Sequence, residues 1–168
     1  MSGWKKAIDP RLRYLLYPLA MLFWGILFWR NLFYTVGFFV SRKLPTKVIS
    51  IGNITTGGTG KTPAVIYLAK TLIKRGKRVA VLSRGYGRKT AGTQLVTDGS
   101  TPALDWRNFG DEPTLISKVL SGVPVVVDEK RHRGGMFLVD KFNPDVIIMD
   151  DAFQHRAIER DVDIVLIN

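Results

Sequence analysis
The residues with the most chemistry in this 168-residue sequence fall into four short clusters. The first is Thr55-Thr56-Gly57-Gly58-Thr59-Gly60-Lys61-Thr62, with Pro63 behind it. Glycines let successive backbone N–H groups turn toward one anionic centre, and a following helix N-terminus adds partial positive charge. A lysine at position 61 reaches the β- and γ-phosphates of a nucleotide, and the Thr62 hydroxyl can ligate Mg²⁺. Positions 55–62 are therefore the candidate nucleotide-binding residues. The general pattern G-x-x-x-x-G-K-[ST] asks for a glycine where this chain has Thr55, so the flanking elements carry part of the inference. The bland alternative is a glycine-rich turn that happens to contain lysine. It is disfavoured because an apolar run leads in and an amphipathic segment leads out.

Of the other three clusters, two lie at the end of an apolar run and one precedes an expected helix. Arg84-Gly85-Tyr86-Gly87-Arg88 could bring backbone and guanidinium groups to an anion; a solvated basic turn is an equally open reading. In Gly110-Asp111-Glu112-Pro113, Asp111 fits a helix N-cap with Pro113 in the first turn. The same carboxylate, facing the phosphate site, could take a proton from an attacking hydroxyl. Val146-Ile147-Ile148-Met149-Asp150-Asp151 is an apolar strand ending in two carboxylates, the form in which an Asp holds Mg²⁺ beside a phosphate loop. Adjacent residues of a strand point to opposite faces, so Asp150 is the expected metal ligand and Asp151 a supporting group. His155 could orient a phosphate or sit at the surface. His132, between Arg131 and Arg133, reads as part of a solvated helix face.

Positioning these clusters takes an alternating pattern of elements. Strands are expected at 47–51, 78–83, 123–127, 145–149 and 163–167, and helices at 61–75, 112–120 and 131–141. Short, nearly continuous apolar strands suit a parallel sheet covered on both faces, with its ligands at the C-terminal strand ends. The fold class is therefore α/β, a mostly parallel sheet with flanking helices like that of P-loop nucleotide-binding proteins, over residues 47–168. A hydrophobic helical segment, residues 1–46, precedes it. Residues 43–46, Lys43-Leu44-Pro45-Thr46, read as a hinge.

Of the net charge of +11, +7 lies in residues 1–50, so the basic character is local and does not mark a nucleic-acid face. That segment is also dense in aromatics, among them Trp24, Phe28, Trp29 and Phe33. Aromatics beside Lys and Arg are what a membrane–water interface selects. One or two interfacial helices are expected, with basic groups on anionic headgroups; a helical hairpin packed on another domain is the alternative. The absence of cysteine excludes disulfides, thiolate metal sites and cysteine nucleophiles, and fits a reducing compartment.

Taken together and in order, the loop with its flanks Ser50-Ile51-Gly52-Asn53 and Pro63, Leu82-Ser83-Arg84-Gly85-Tyr86-Gly87-Arg88, Gly110-Asp111-Glu112-Pro113 and Asp150-Asp151-Ala152-Phe153-Gln154-His155-Arg156 resemble the tetraacyldisaccharide 4'-kinase family. That family acts in lipid A synthesis in Gram-negative bacteria, and its loop also lacks a glycine at the place of Thr55. Where its members commonly have glycine, this chain has Ala152, a mild change unless the backbone there needs positive φ. The resemblance implies ATP and Mg²⁺ as co-reactants. It also implies γ-phosphoryl transfer to the 4'-hydroxyl of an acylated glucosamine disaccharide 1-phosphate, giving lipid IVA. It assigns Lys61, Asp111 and Asp151 to catalysis, Asp111 as candidate base, and Thr62, Asp150 and Asp151 to the metal. It places the protein at the cytoplasmic face of the bacterial inner membrane, as a peripheral or monotopic protein. Family members are about twice as long as this chain, and their later half holds a histidine that assists the catalytic carboxylate. The chain thus resembles the N-terminal half. Two alternatives are a membrane-associated ATPase switch, whose loop carries lysine where this chain has Thr56, and an inactive nucleotide-binding remnant.

Overall fold
A computed structural model of the chain describes residues 10–38, 41–53, 60–152 and 157–167. It forms two compact units, Met1–Val40 and Ser41–Asn168.

In the first unit, α1 (Pro10–Thr35) runs through Pro18, whose ring removes one helix hydrogen bond. Leu16, Leu19, Met21, Leu22, Phe23, Trp24, Ile26, Phe28 and Trp29 are all exposed. At about 100° per residue they emerge on every side rather than along one stripe. The helix thus presents apolar side chains all round. Trp24 stacks on Phe28 at 5.5 Å, and Trp29 meets Phe33 at 5.9 Å, the i,i+4 spacing that brings side chains together. Among the described residues, no helix is long and apolar enough to cross a membrane.

The second unit is a six-stranded sheet in the order β3-β4-β2-β5-β1-β6. Its strands are β1 (Lys47–Asn53), β2 (Val79–Ser83), β3 (Gln94–Thr97), β4 (Val125–Val127), β5 (Val146–Asp150) and β6 (Val162–Leu166). Every pairing is parallel except β3 with β4. Strands β2, β4 and β5 are buried along their whole length, as parallel strands between helix layers must be. On one face α2 (Lys61–Lys74) and α4 (Asp111–Val119) pack Val65, Ala69 and Ile116 against Ile51, Val81 and Ile148. On the other, α5 (Arg131–Phe142) packs Leu138 against Leu82, Ile147 and Met149. Each such buried aliphatic side chain contributes about 1.5–3 kcal/mol.

The five expected strands and three expected helices are present with shifted ends. The sequence reading missed β3 and the single turn α3 (Trp106–Phe109). It also misjudged residues 43–46, which are held rather than hinge-like. Leu44 is buried over Gly135, where a Cβ would come within 2.4 Å of its Cδ1. Arg42 joins Ile158 in a parallel bridge, its N–H donating to Ala157 O at 2.9 Å.

Two carboxylates clamp the N-terminal strand ends. Asp161 accepts from Val48 N and Lys47 Nζ, both at 2.8 Å, tying β1 to β6. Asp145 accepts from Arg78 N and Arg78 Nη2, both at 2.8 Å, tying β2 to β5. The Arg78 hydrogen bonds hold the Asp145 carboxyl down at about 2, below its ordinary 3.8. A lowered carboxylate pKa adds stability above the unfolded value, and this is lost as protons return. Thermal midpoints should therefore fall as pH drops from about 4 to about 2. Asp145→Asn should flatten that limb of the midpoint-against-pH curve and lower the plateau above it.

Candidate active site at the C-terminal strand ends
Strands β1, β2, β4 and β5 run parallel, so the segments after them emerge at one pole of the sheet. In the register of β1 on β5, Ile51 lies beside Asp150. The backbone thus brings the entry to the phosphate loop next to the paired carboxylates before any side chain is considered.

Thr55, Thr56, Gly57, Gly58 and Thr59 lie outside the described residues, as does His155. The described end of the loop is Gly60, which precedes α2 with φ 75°, a left-handed conformation that glycine adopts without strain. Among the described residues no side chain caps α2, and no acidic residue occupies its first turn, so its positive end is suited to an anion. Lys61 follows, donating from Nζ to Asn53 Oδ1 at 3.1 Å and pairing with Asp151 Oδ1 at 3.2 Å. Thr62 is buried one residue further on. Lys61 is thus held over the carboxylate turn by the last residue of β1.

The two aspartates differ from the opposite-face expectation. β5 ends at Asp150, and Asp151 turns out of it with φ 51°, so strand alternation does not govern Asp151. Its side chain reaches solvent and Lys61 together. Asp150 is completely buried, with Oδ2 accepting a long 3.4 Å bond from Ser83 Oγ and Oδ1 lacking a hydrogen-bond partner among the described residues. Burial, then the Glu112 and Asp151 carboxylates, push the Asp150 carboxyl up to about 7, against the opposing pull of Arg131 and Lys61. Ala152, where glycine is common in the family, has no positive φ; that conformation falls on Asp151 instead. The alanine is buried and unstrained.

Asp111 is not the N-cap of α4. Gly110, with φ 95°, takes that place, and Asp111 opens the helix without capping it. Its carboxylate is consequently not spent on the backbone. With Tyr86, Glu112, Pro113 and Asp151 it lines an open cleft of about 360 Å³. The expected catalytic residues Asp111 and Asp151 therefore share one cavity, and Lys61 joins them through its ion pair with Asp151.

Of the two arginines in the cluster after β2, Arg84 is exposed while Arg88 is not offered to an anion. The Arg88 side chain is 5% exposed and engaged with Glu129, Gly92 O and Val127 O. Sequence reasoning passed over Arg131. This residue is buried at the start of α5, donating to Asp128 O at 3.0 Å and to the Asp150 backbone carbonyl at 3.2 Å, with Nε unpartnered among the described residues. Burial lowers its pKa to about 10, partly offset by Asp150, so it stays cationic at neutral pH. A cation in the first turn of a helix opposes the macrodipole, and the run Lys130-Arg131-His132-Arg133 carried that signal. Arg133 is exposed, as a solvated helix face would have it, yet it forks onto the buried Asp128 with both bonds at 2.8 Å.

Mg²⁺ retains waters and phosphate oxygens and asks the protein for only one or two hard oxygens. A buried carboxylate oxygen without a partner, on Asp150, fits that demand, and the buried Thr62 hydroxyl is a second candidate donor. Among the described residues no set of three or more His, Cys, Asp or Glu side chains could form an all-protein cage.

The family model for tetraacyldisaccharide-1-P 4'-kinase matches residues 12–168. Among curated relatives, a tetraacyldisaccharide 4'-kinase of Aquifex aeolicus is 46% identical over 93% of this chain and 49% of its own length. One from Chlorobaculum parvum is 48% identical over 92% of this chain and 44% of its own. A crystal structure of an "apo" form of LpxK from Aquifex aeolicus, in complex with ATP, superposes with TM-score 0.84 at 45% identity. That match covers 92% of this chain and 48% of the other. The chain spans about half the length of the curated relatives it matches.

Raising a carboxyl pKa on folding means the native state holds a proton that the unfolded state releases above pH 4. For Asp150, ligand-free stability should therefore fall as pH rises from about 4 to about 7. In urea titrations across that range, Asp150→Asn should be more stable than the parent near neutrality and lose this slope.

Proposed function
The chain belongs to the tetraacyldisaccharide-1-P 4'-kinase family, and from that premise we propose that it is the nucleotide-binding half of an ATP-dependent lipid kinase. The reaction is transfer of the γ-phosphoryl of ATP to the 4'-hydroxyl of an acylated glucosamine disaccharide 1-phosphate, yielding lipid IVA. The observation that carries this reading is the junction of Lys61, Asp151 and the buried, half-unpartnered Asp150 beside a cleft lined by Asp111.

The geometry and the family resemblance together support a division of labour. The uncapped start of α2 and Lys61 take the β- and γ-phosphates. Mg²⁺, when bound, neutralises charge on the phosphate oxygens; Asp150 and Thr62 are the residues to hold it, with Asp151 supporting. Asp151 also keeps the Lys61 ammonium from swinging away before nucleotide arrives. Asp111 accepts the proton of the acceptor hydroxyl as its oxygen bonds to phosphorus and the bond to ADP breaks. Such transfer depends on alignment and charge stabilisation more than on covalent participation by the protein.

α1 is the element proposed to meet lipid. A substrate with four acyl chains stays in a membrane, and a helix exposing apolar and aromatic side chains all round is stable only against an apolar partner. Basic residues on both flanks suit anionic headgroups, and together with the family membership they support a location at the cytoplasmic face of the bacterial inner membrane.

Labelled ATP and the acylated disaccharide 1-phosphate in mixed micelles test the activity. Lys61→Ala should abolish label transfer, on the order of 10³-fold or more, while leaving the fold intact. ATP hydrolysis without labelled lipid would instead favour an ATPase switch, and nucleotide binding without either would mark a remnant. Separately, the double change Trp24→Glu, Phe28→Glu should weaken sedimentation with anionic vesicles by about tenfold or more, since each buried aromatic contributes roughly 1.5–3 kcal/mol. Unchanged sedimentation would rule out α1 as the lipid-binding element.

A further inference from the structure
The segment between β2 and β3 contains one arginine whose sequence context points to anion binding and whose surroundings show another use. Arg88 lies in a Gly-Tyr-Gly-Arg turn closed by its own N–H on Gly85 O at 3.2 Å. The side chain then folds inward. Nη2 donates to Gly92 O at 2.7 Å and to Glu129, and Nη1 donates to Val127 O at 3.4 Å. Glu129 is held in turn by Gly92 N at 3.0 Å and by Arg133 Nη2 at 3.0 Å. Arg133 forks onto Asp128, which also accepts from Lys130 N at 2.7 Å and from Thr93 Oγ1. This is one connected network of ion pairs and hydrogen bonds, and its buried end is fixed to the last residue of β4 and the start of α5.

The far side of the same turn presses on the cleft. A Cβ on Gly85 would come within 2.7 Å of both Phe109 O and Arg88 Cδ. A Cβ on Gly110 would come within 3.0 Å of Tyr86 O. Lys89 N donates to Arg107 O at 2.8 Å, and Thr90 Oγ1 to Asn108 O. Between Arg88 and the first turn of α4, which carries Asp111 and Glu112, there is backbone in direct contact and no room for a side chain.

We infer that Arg88 is a positioning residue that, through the Gly85–Gly110 contact, sets the place of Asp111 and Tyr86 in the cleft. The inference deepens the kinase reading and rests on it for its catalytic consequence. The mechanical part stands independently. The guanidinium fork satisfies two backbone carbonyls and a carboxylate at once, which a lysine ammonium at that site can do only in part. Loss of the fork frees the 85–88 turn from β4, and the turn is what Gly110 leans on.

The test is Arg88→Gln, with Arg88→Lys as the conservative variant, read two ways. By amide hydrogen exchange, Gly110 and Thr114, whose N–H groups are bonded to Trp106 O and Gly110 O, should exchange roughly tenfold or more faster in the glutamine variant. Val81, bonded to Pro124 O in the sheet, should change less than about twofold. In the micelle transfer assay, kcat should fall by roughly tenfold or more with KM for ATP within about twofold, because the phosphate-binding residues are on α2. The lysine variant should recover part of both effects. Equal acceleration at Gly110 and Val81 in both variants, or an unchanged kcat, would overturn the inference. If the parent transfers no phosphate, the kinase reading fails, and the exchange comparison alone decides the positioning role.

Discussion
Asp150 is a carboxylate fully shielded from the surface and, among the described residues, accepts only one long bond on one oxygen. Leaving a charge so poorly solvated is costly, and the protein meets that cost in two ways. Cations approach from both sides, Lys61 near the phosphate loop and Arg131 at the start of α5, and the carboxyl retains a proton to about neutrality. Lys61 is oriented by Asn53 and Asp151, and Arg131 by the carbonyls of Asp128 and Asp150. Much of the local architecture at this pole consists of groups holding those two cations in place. A carboxyl perturbed this far, in a cluster with two held cations, is what marks this pole as the candidate site.

The sheet supplies the stiffness that this polar cluster cannot. β5 lies between β1 and β2, its register fixed at the far pole by the Arg78–Asp145 clamp and along its length by buried Ile147, Ile148 and Met149. A strand so constrained delivers Asp150 at a set height above the core. The turn after it is then free to take the left-handed conformation that aims Asp151 back at Lys61. Aspartate tolerates that conformation better than most residues.

What the sequence made legible follows from this hierarchy. The placement of Lys61, Thr62 and Asp150 was readable because residue type and spacing fix their positions relative to a strand or a helix start. Apolar runs such as Val146–Met149 gave away the parallel sheet for the same reason. β3 was missed because Gln94-Leu95-Val96-Thr97 is short, half polar and antiparallel at an edge, so no long run marks it. Arg131 and Arg88 were not legible in their roles because their partners are backbone carbonyls and carboxylates brought near by the fold. The cap of α4 was misassigned because Asp is the commoner capping residue. The backbone of Gly110, pressed against Tyr86 O, takes a positive φ that places the cap there instead.

The contact of Gly85 with Gly110 has a consequence for how this site can change over time. Two motifs that look independent along the chain share one surface, with no side chain's width between them. A substitution that adds bulk to either must be answered by the other, so the segments 84–88 and 109–112 are bound to vary as a pair. Anyone recasting this cleft would have to exchange both together, as a single cassette.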